Sequence, residues 1–181
     1  TTDELGAAPF TCLGDVEYVS HRGDRPIAIT WRLRRPMPAA VYSSPLRRAR
    51  ETVAAFAEPS GVEVVVEDDL AEAYLGDWEG KPFEEILSTD EQMLHRIRNQ
   101  EPIWRHAPGV EDLGPFRARV RDAVERILST HPSGNVLVIC HGAVINAYVA
   151  PLLGVDHEMF FVPENTSLNS VVVDGSLRRV R

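Results

Sequence analysis

The chain has 181 residues, 44% of them hydrophobic and 25% charged, with a formal net charge of −8. That length and balance describe one soluble globular domain, residues 1–181, able to bury a core without disulfide or metal staples. The acidic balance argues against general affinity for nucleic acid or anionic membrane, and no run of about 18 apolar residues offers a membrane span. Cys12 and Cys140 are the only cysteines. Unclustered, they give neither a disulfide framework nor zinc spacing, and a reducing cytoplasm is the expected compartment.

In chain order, residues 1–15 read as a loop, and 15–20 alternate weakly as a short strand or extended arm. A helix is expected over Ile27 to Leu33, stopped by Pro36 and Pro38. Ala39 to Ser43 is a candidate buried strand, and Ser44-Pro45 fits an N-cap followed by proline at the first helical position. That helix is expected to run to about Ala57 with Leu46, Ala49, Val53 and Phe56 on one side, ending at Pro59-Ser60-Gly61. Val62 to Val66 is rich in β-formers, and Leu70 to Gly80 mixes aromatics, glycine and carboxylates as functional loops do. Helices are expected over 82–87, 90–99 and 116–128, with an irregular stretch at 104–114.

Val136 to Cys140 is a continuous apolar run that suits a strand buried on both faces, and Ala143 to Leu153 an apolar helix ending at Gly154. Extended chain at 160–163, a strand over 167–173 and a last strand over 177–180 follow. Strands alternating with helices predict an α/β fold, a three-layer α/β/α sandwich whose mostly parallel sheet carries an antiparallel edge strand.

The chemistry gathers at three places. His141 ends a buried strand just before a helix start, where open α/β sheets bind ligands and where an anion is favoured. Arg47 and Arg48 stand in the first turn after Ser44-Pro45, and arginine suits a bidentate grip on phosphate oxygens. They belong to an arginine island with Arg32, Arg34, Arg35 and Arg50, which reads either as a solvated face or as a local anion site. Glu72 lies in its loop among apolar residues that raise a carboxyl's pKa toward general-acid use, with Asp77 and Glu79 as alternatives. Trp104, Arg105 and His106 are candidate pocket residues.

These pieces have an order. Ser43-Ser44-Pro45-Leu46-Arg47-Arg48-Ala49-Arg50-Glu51-Thr52 comes first, then Leu70-Ala71-Glu72 with Gly76-Asp77-Trp78-Glu79-Gly80. Pro108-Gly109-Val110-Glu111 with Phe116 and Arg119-Val120 follow, then Cys140-His141-Gly142 and Asn165-Thr166-Ser167-Leu168. Over about residues 39–173 this order resembles the histidine phosphatase (phosphoglycerate mutase-like) superfamily. The resemblance implies a phosphatase that hydrolyses a small phosphomonoester through phosphohistidine, with no metal and no organic cofactor. It implies that Arg48 binds phosphate, Glu72 donates the proton, His141 is the second, phosphate-stabilising histidine, and Gly142 lets backbone approach the phosphate. A phosphoglycerate mutase-type phosphotransferase is the alternative within the family, and the compact chain between Glu72 and His141 favours the phosphatase.

One family piece is not visible. The Arg-His-Gly motif that carries the nucleophilic histidine does not occur in the sequence. His21-Arg22-Gly23 has the order reversed, which in a strand exchanges the face each side chain points to. His21 and Arg22 are therefore candidates of second rank. The first strand and its histidine are expected upstream of Thr1; genuine loss would leave a pseudo-phosphatase that binds phosphorylated ligands. The expected partner is a small phosphorylated substrate rather than nucleic acid or membrane, and a homodimer is compatible with the sequence.

Overall fold

The alternation at the start of the chain builds a hairpin. In the computed structural model, which describes residues 16–24, 28–33, 38–89, 92–99, 101, 103–157 and 159–181, β1 (Val16–Arg22) pairs antiparallel with β2 (Ala28–Leu33). The helix expected over 27–33 is thus corrected to a strand over Ala28–Leu33, with residue 27 outside the described residues. Ile27, Ile29, Trp31 and Leu33 recur at every second position, which is the period of a strand rather than of a helix. The hairpin pairs with no strand of the other sheets among the described residues.

The centre of the molecule is a parallel sheet. β3 (Ala40–Ser43) runs beside β4 (Val64–Val66) on one side and β5 (Val136–Ile139) on the other, in the order β4-β3-β5. Val41, Tyr42 and Ser43 are buried because β3 is covered on both edges and both faces. β5 differs from expectation. Its four residues are each only partly buried, since no second strand pairs with it among the described residues.

Helices flank this sheet, as the α/β reading expects. α1 (Arg47–Ser60) buries Ala49 and Val53 and ends at Gly61, whose φ of 68° closes the helix in the left-handed region. Its start is two residues later than expected. Ser44 is still held by the sheet, its N–H donating to the Ile139 carbonyl at 2.9 Å, so the N-cap is Leu46. Between β4 and the next long helix lie α2 (Phe83–Thr89) and α3 (Met93–Arg98), the latter burying Met93.

α4 (Leu113–Thr130) buries Phe116, Val120, Ala123 and Ile127, positions that fall on one face at helical spacing. α5 (Gly142–Leu152) follows β5 and buries Val144 and Ala147 against that face, with Tyr42 and Leu70 in the same cluster. Full burial of Val120 alone contributes roughly 2 kcal/mol. Since Tyr42 faces α4 and α5, alternation turns Val41 and Ser43 to the opposite face, where α1 contacts β3 and β5. β6 (Val171–Asp174) and β7 (Leu177–Val180) form the late antiparallel element, as a separate hairpin beside α5.

Candidate active site

Parallel strands end on one edge of their sheet, and this sheet's carboxyl ends gather the chemistry. Ser44 follows β3, His141 follows β5, and Glu72 lies beyond the turn after β4. His141 is buried, with 7% of its surface exposed. Its Nδ1 accepts from Arg48 Nε at 3.2 Å, and its Nε2 lies 2.6 Å from Ser44 Oγ. A guanidinium always donates, so Nδ1 is unprotonated and the neutral ring carries its proton on Nε2, which donates to Ser44. Burial, and next the Arg48 charge, hold the imidazole down at about pKa 4. The ring is neutral at pH 7.

Glu72 reaches the start of α5. Its Oε1 accepts the Ala73 N–H at 3.0 Å and its Oε2 the Ala143 N–H at 3.3 Å. The anion that this helix start attracts is therefore Glu72's own carboxylate. Burial pushes the carboxyl above its ordinary range, against the opposing pull of the backbone amides and of Arg48. A carboxyl so placed holds a proton to higher pH than usual, beside His141 and Arg48.

The acid loop is fastened from α4. Arg119 Nη1 donates to the carbonyls of Asp69 at 2.7 Å and Ala71 at 2.8 Å, and Nη2 to that of Glu72 at 3.3 Å. Its Nε and Nη2 also grip both oxygens of Glu111, each at 2.8 Å. That pairing holds the Glu111 carboxyl below the usual carboxylate range. Glu111 exchanges bonds with Tyr74, accepting its N–H at 3.2 Å and donating its own N–H to the Tyr74 carbonyl at 2.9 Å. Beneath, Gly76 at φ 58° lies against the backbone of 108–110, and a Cβ there would meet the Pro108 carbonyl at 2.0 Å.

Beside Glu72 opens a cavity of about 580 Å³. Its walls include Leu75, Val110, Leu113, Phe116 and Met159, with Arg105 also lining it. The Met159 side is tied down by Asn146, which is wholly buried in α5. Asn146 Nδ2 donates to the carbonyls of Gly142 at 2.9 Å and Phe161 at 3.0 Å, and Oδ1 accepts the Phe161 N–H at 3.4 Å.

The family description "Histidine phosphatase superfamily (branch 1)" matches residues 27–181. The chain belongs to this superfamily. Phosphoserine phosphatase 1 of Hydrogenobacter thermophilus is 32% identical over 121 residues, 67% of this chain and 57% of that protein. Among solved structures, Bacillus stearothermophilus YhfR superposes with a TM-score of 0.69 at 28% identity, covering 79% of this chain and 72% of that one. A mycobacterial glucosyl-3-phosphoglycerate phosphatase solved with VO3 superposes with a TM-score of 0.65 at 28% identity, covering 80% and 75%. The chain spans 66% and 57% of the length of two phosphoserine-phosphatase-named relatives from H. thermophilus.

In this superfamily member the structure brings Arg48, His141 and Glu72 together, with Gly142 as the first residue of α5. It does not bring His21 or Arg22 to them. Both are exposed on the β1–β2 hairpin, and the His21 ring bonds to Tyr18. The arginine island divides: exposed Arg47 pairs with Glu51 at 2.6 Å, Arg48 turns to His141, and Arg34 and Arg35 lie outside the described residues. Glu79 caps the loop by accepting the Leu75 N–H at 2.9 Å, and Asp77 is exposed. His106 is exposed, and the Trp104 side chain lies outside the described residues.

Ser44, Arg119 with Glu111, and Asn146 are the participants whose contacts sequence reasoning missed. A buried polar residue in an otherwise apolar helix is a signal for Asn146; Glu111 and Arg119 stand eight residues apart among the ordered motif pieces, but the Arg119–Asp69 and Ser44–His141 contacts close over 50 and 97 positions and leave no local pattern. Among the described residues, no cluster of three or more His, Cys, Asp or Glu is arranged to hold a metal ion, and no helix is long and apolar enough to cross a membrane.

Proposed function

We propose that this protein is a phosphatase that hydrolyses a small phosphomonoester through a phosphohistidine intermediate. The observation that carries this reading is the convergence of Arg48, His141 and Glu72 at the carboxyl end of the parallel sheet. A histidine nitrogen attacks phosphorus while the ester P–O bond breaks, and Glu72 gives its proton to the departing alkoxide. Water then attacks phosphorus, Glu72 takes a water proton, and the P–N bond breaks to release phosphate. Arg48 and the Nε2–H of His141 meet the charge on the non-bridging oxygens, a kind of contact worth about 10²–10³-fold in rate. Gly142 leaves room for the phosphoryl group at the start of α5.

In this reading residues 1–181 form one histidine-phosphatase domain, working in the cytoplasm without metal or organic cofactor. The accepting histidine lies on a further strand beside β5, whose outer edge pairs with no other strand among the described residues. The alcohol portion of the substrate enters the cavity of about 580 Å³ beside Glu72. Turnover of a phosphomonoester panel by the full-length gene product tests the function. Phosphoserine and glucosyl-3-phosphoglycerate join that panel because relatives are named for them. Inhibition by vanadate and an acid-labile phosphoryl adduct on histidine, seen by mass spectrometry, are expected; absence of turnover across the panel refutes the reading.

A second reading, a pseudo-phosphatase that binds phosphorylated ligands, draws on one observation. Among the described residues, the His141 ring is bonded to Arg48 and Ser44 and to no second histidine. It predicts ligand binding without turnover, unchanged in any residual rate by His141→Ala.

A further inference from the structure

Arg119 is remote from the His141 ring in role, yet it makes five hydrogen bonds, all of them to the acid loop or to the residue that braces it. Three of its acceptors are the carbonyls of Asp69, Ala71 and Glu72. Carbonyl dipoles aimed at one point repel unless a cation sits there, so the backbone path of 69–72 depends on the guanidinium. The Glu72 carbonyl belongs to the same residue as the buried carboxyl, and fixing it fixes where that carboxyl is presented. Through Glu111 the same guanidinium also holds Tyr74, so the loop is secured on both sides of Glu72. Phe116 seats the guanidinium from below, with the Arg119 Cζ 4.8 Å from its ring centroid.

We propose that Arg119 is a positioning residue for the Glu72 carboxyl, setting it where it can protonate the leaving group. The proposal rests on the phosphatase reading and deepens it. Lysine keeps the charge and loses the planar fork, so it replaces only part of the clasp.

The test compares leaving groups in the full-length gene product. An acidic phenol departs as its anion, whereas an aliphatic alcohol needs a proton, and a general acid is worth about 10²–10⁴-fold where it is needed. Arg119→Gln is expected to lower kcat/KM on an alkyl phosphate at least ~10-fold more than on p-nitrophenyl phosphate. Arg119→Lys is expected to fall between wild type and Arg119→Gln, and it carries the comparison where glutamine impairs folding. Equal losses on both substrates overturn the proposal, because a general structural defect makes no such distinction. An activity-free arm follows the Glu72 carboxyl by NMR titration. Its midpoint is expected to fall toward the ordinary carboxyl range in Arg119→Gln, as the loosened loop admits water; an unmoved midpoint overturns the proposal. Should the wild-type protein turn over no phosphomonoester, the phosphatase reading fails, and the titration still judges the clasp.

Discussion

Arg48 Nε donates to His141 Nδ1 at 3.2 Å, joining the first turn of α1 to the end of β5. One contact thereby fixes two properties. It sets the tautomer, leaving the ring proton on Nε2, and it adds to the burial that holds the imidazole at about pKa 4. A neutral ring with a known donor nitrogen can offer a hydrogen bond to a phosphoryl oxygen at neutral pH.

Arg48→Gln is expected to raise the His141 midpoint in a histidine NMR titration while leaving it below the ordinary value, because burial, the larger cause, persists. In the phosphatase reading, KM for a phosphomonoester is expected to rise at least ~10-fold, since the proposed charge-assisted grip on phosphate is lost. A midpoint that stays at about 4 would show that the guanidinium does not act on the ring.

In the proposed phosphatase Glu72 must be protonated to act as an acid, so the rate is expected to fall as pH rises through its pKa, which burial has moved up. Glu72→Gln is expected to abolish that alkaline limb and to lower kcat on an alkyl phosphate by about 10²-fold or more. A pH–rate profile of the variant that retains the limb would assign it to another group.

His141 also links stability to pH. Unfolded, it titrates near the ordinary ~6.5, and folded at about 4, so between these values the unfolded chain binds more protons. Its contribution is complete above ~6.5 and is lost as pH falls toward 4, by at most about 3 kcal/mol. Urea unfolding at pH 7 and pH 4.5 is expected to show a smaller difference for His141→Asn than for wild type. Equal differences would mean that the ring is not carried neutral into the fold.

Two glycines separate strain from collision. Gly61 has φ 68° with open space around it, whereas Gly76 has φ 58° with the Pro108 carbonyl 2.0 Å from a Cβ. Gly61→Ala is expected to cost about 1–2 kcal/mol, the ordinary penalty of a left-handed residue. Gly76→Ala adds a clash with backbone and is expected to cost at least ~3 kcal/mol in denaturant titrations, with loss of activity as the acid loop lifts off 108–110. Similar costs at the two sites would place slack where the structure has none.

How far the sequence speaks depends on how local each signal is. The apolar run of β5 and the Phe116–Val120–Ile127 face of α4 announce themselves, because periodicity is set by the element itself. The parallel sheet follows from strands alternating with helices, and the approach of Arg48 to His141 from strand-end logic, whereas the strand order β4-β3-β5 has no local signal. Over 27–33 the prolines at 36 and 38 suggest the end of a helix, although the apolar period is two and β2 covers Ala28–Leu33. The start of α1 was displaced by the bond from Ser44 to Ile139, a tertiary contact that local capping preference does not contain. The Arg119 clasp joins residues about fifty positions apart by backbone carbonyls, which no side-chain pattern records.

Asn146 recognises Phe161 through the peptide N–H and C=O alone, so its grip does not depend on which side chains the 159–163 stretch carries. Anchor and lining are thus separable parts. Met159 is therefore expected to accept a smaller or polar replacement while the segment stays docked on α5, which in the proposed phosphatase makes this wall of the cavity a natural place for selection, or an engineer, to retune substrate choice without rebuilding the fold.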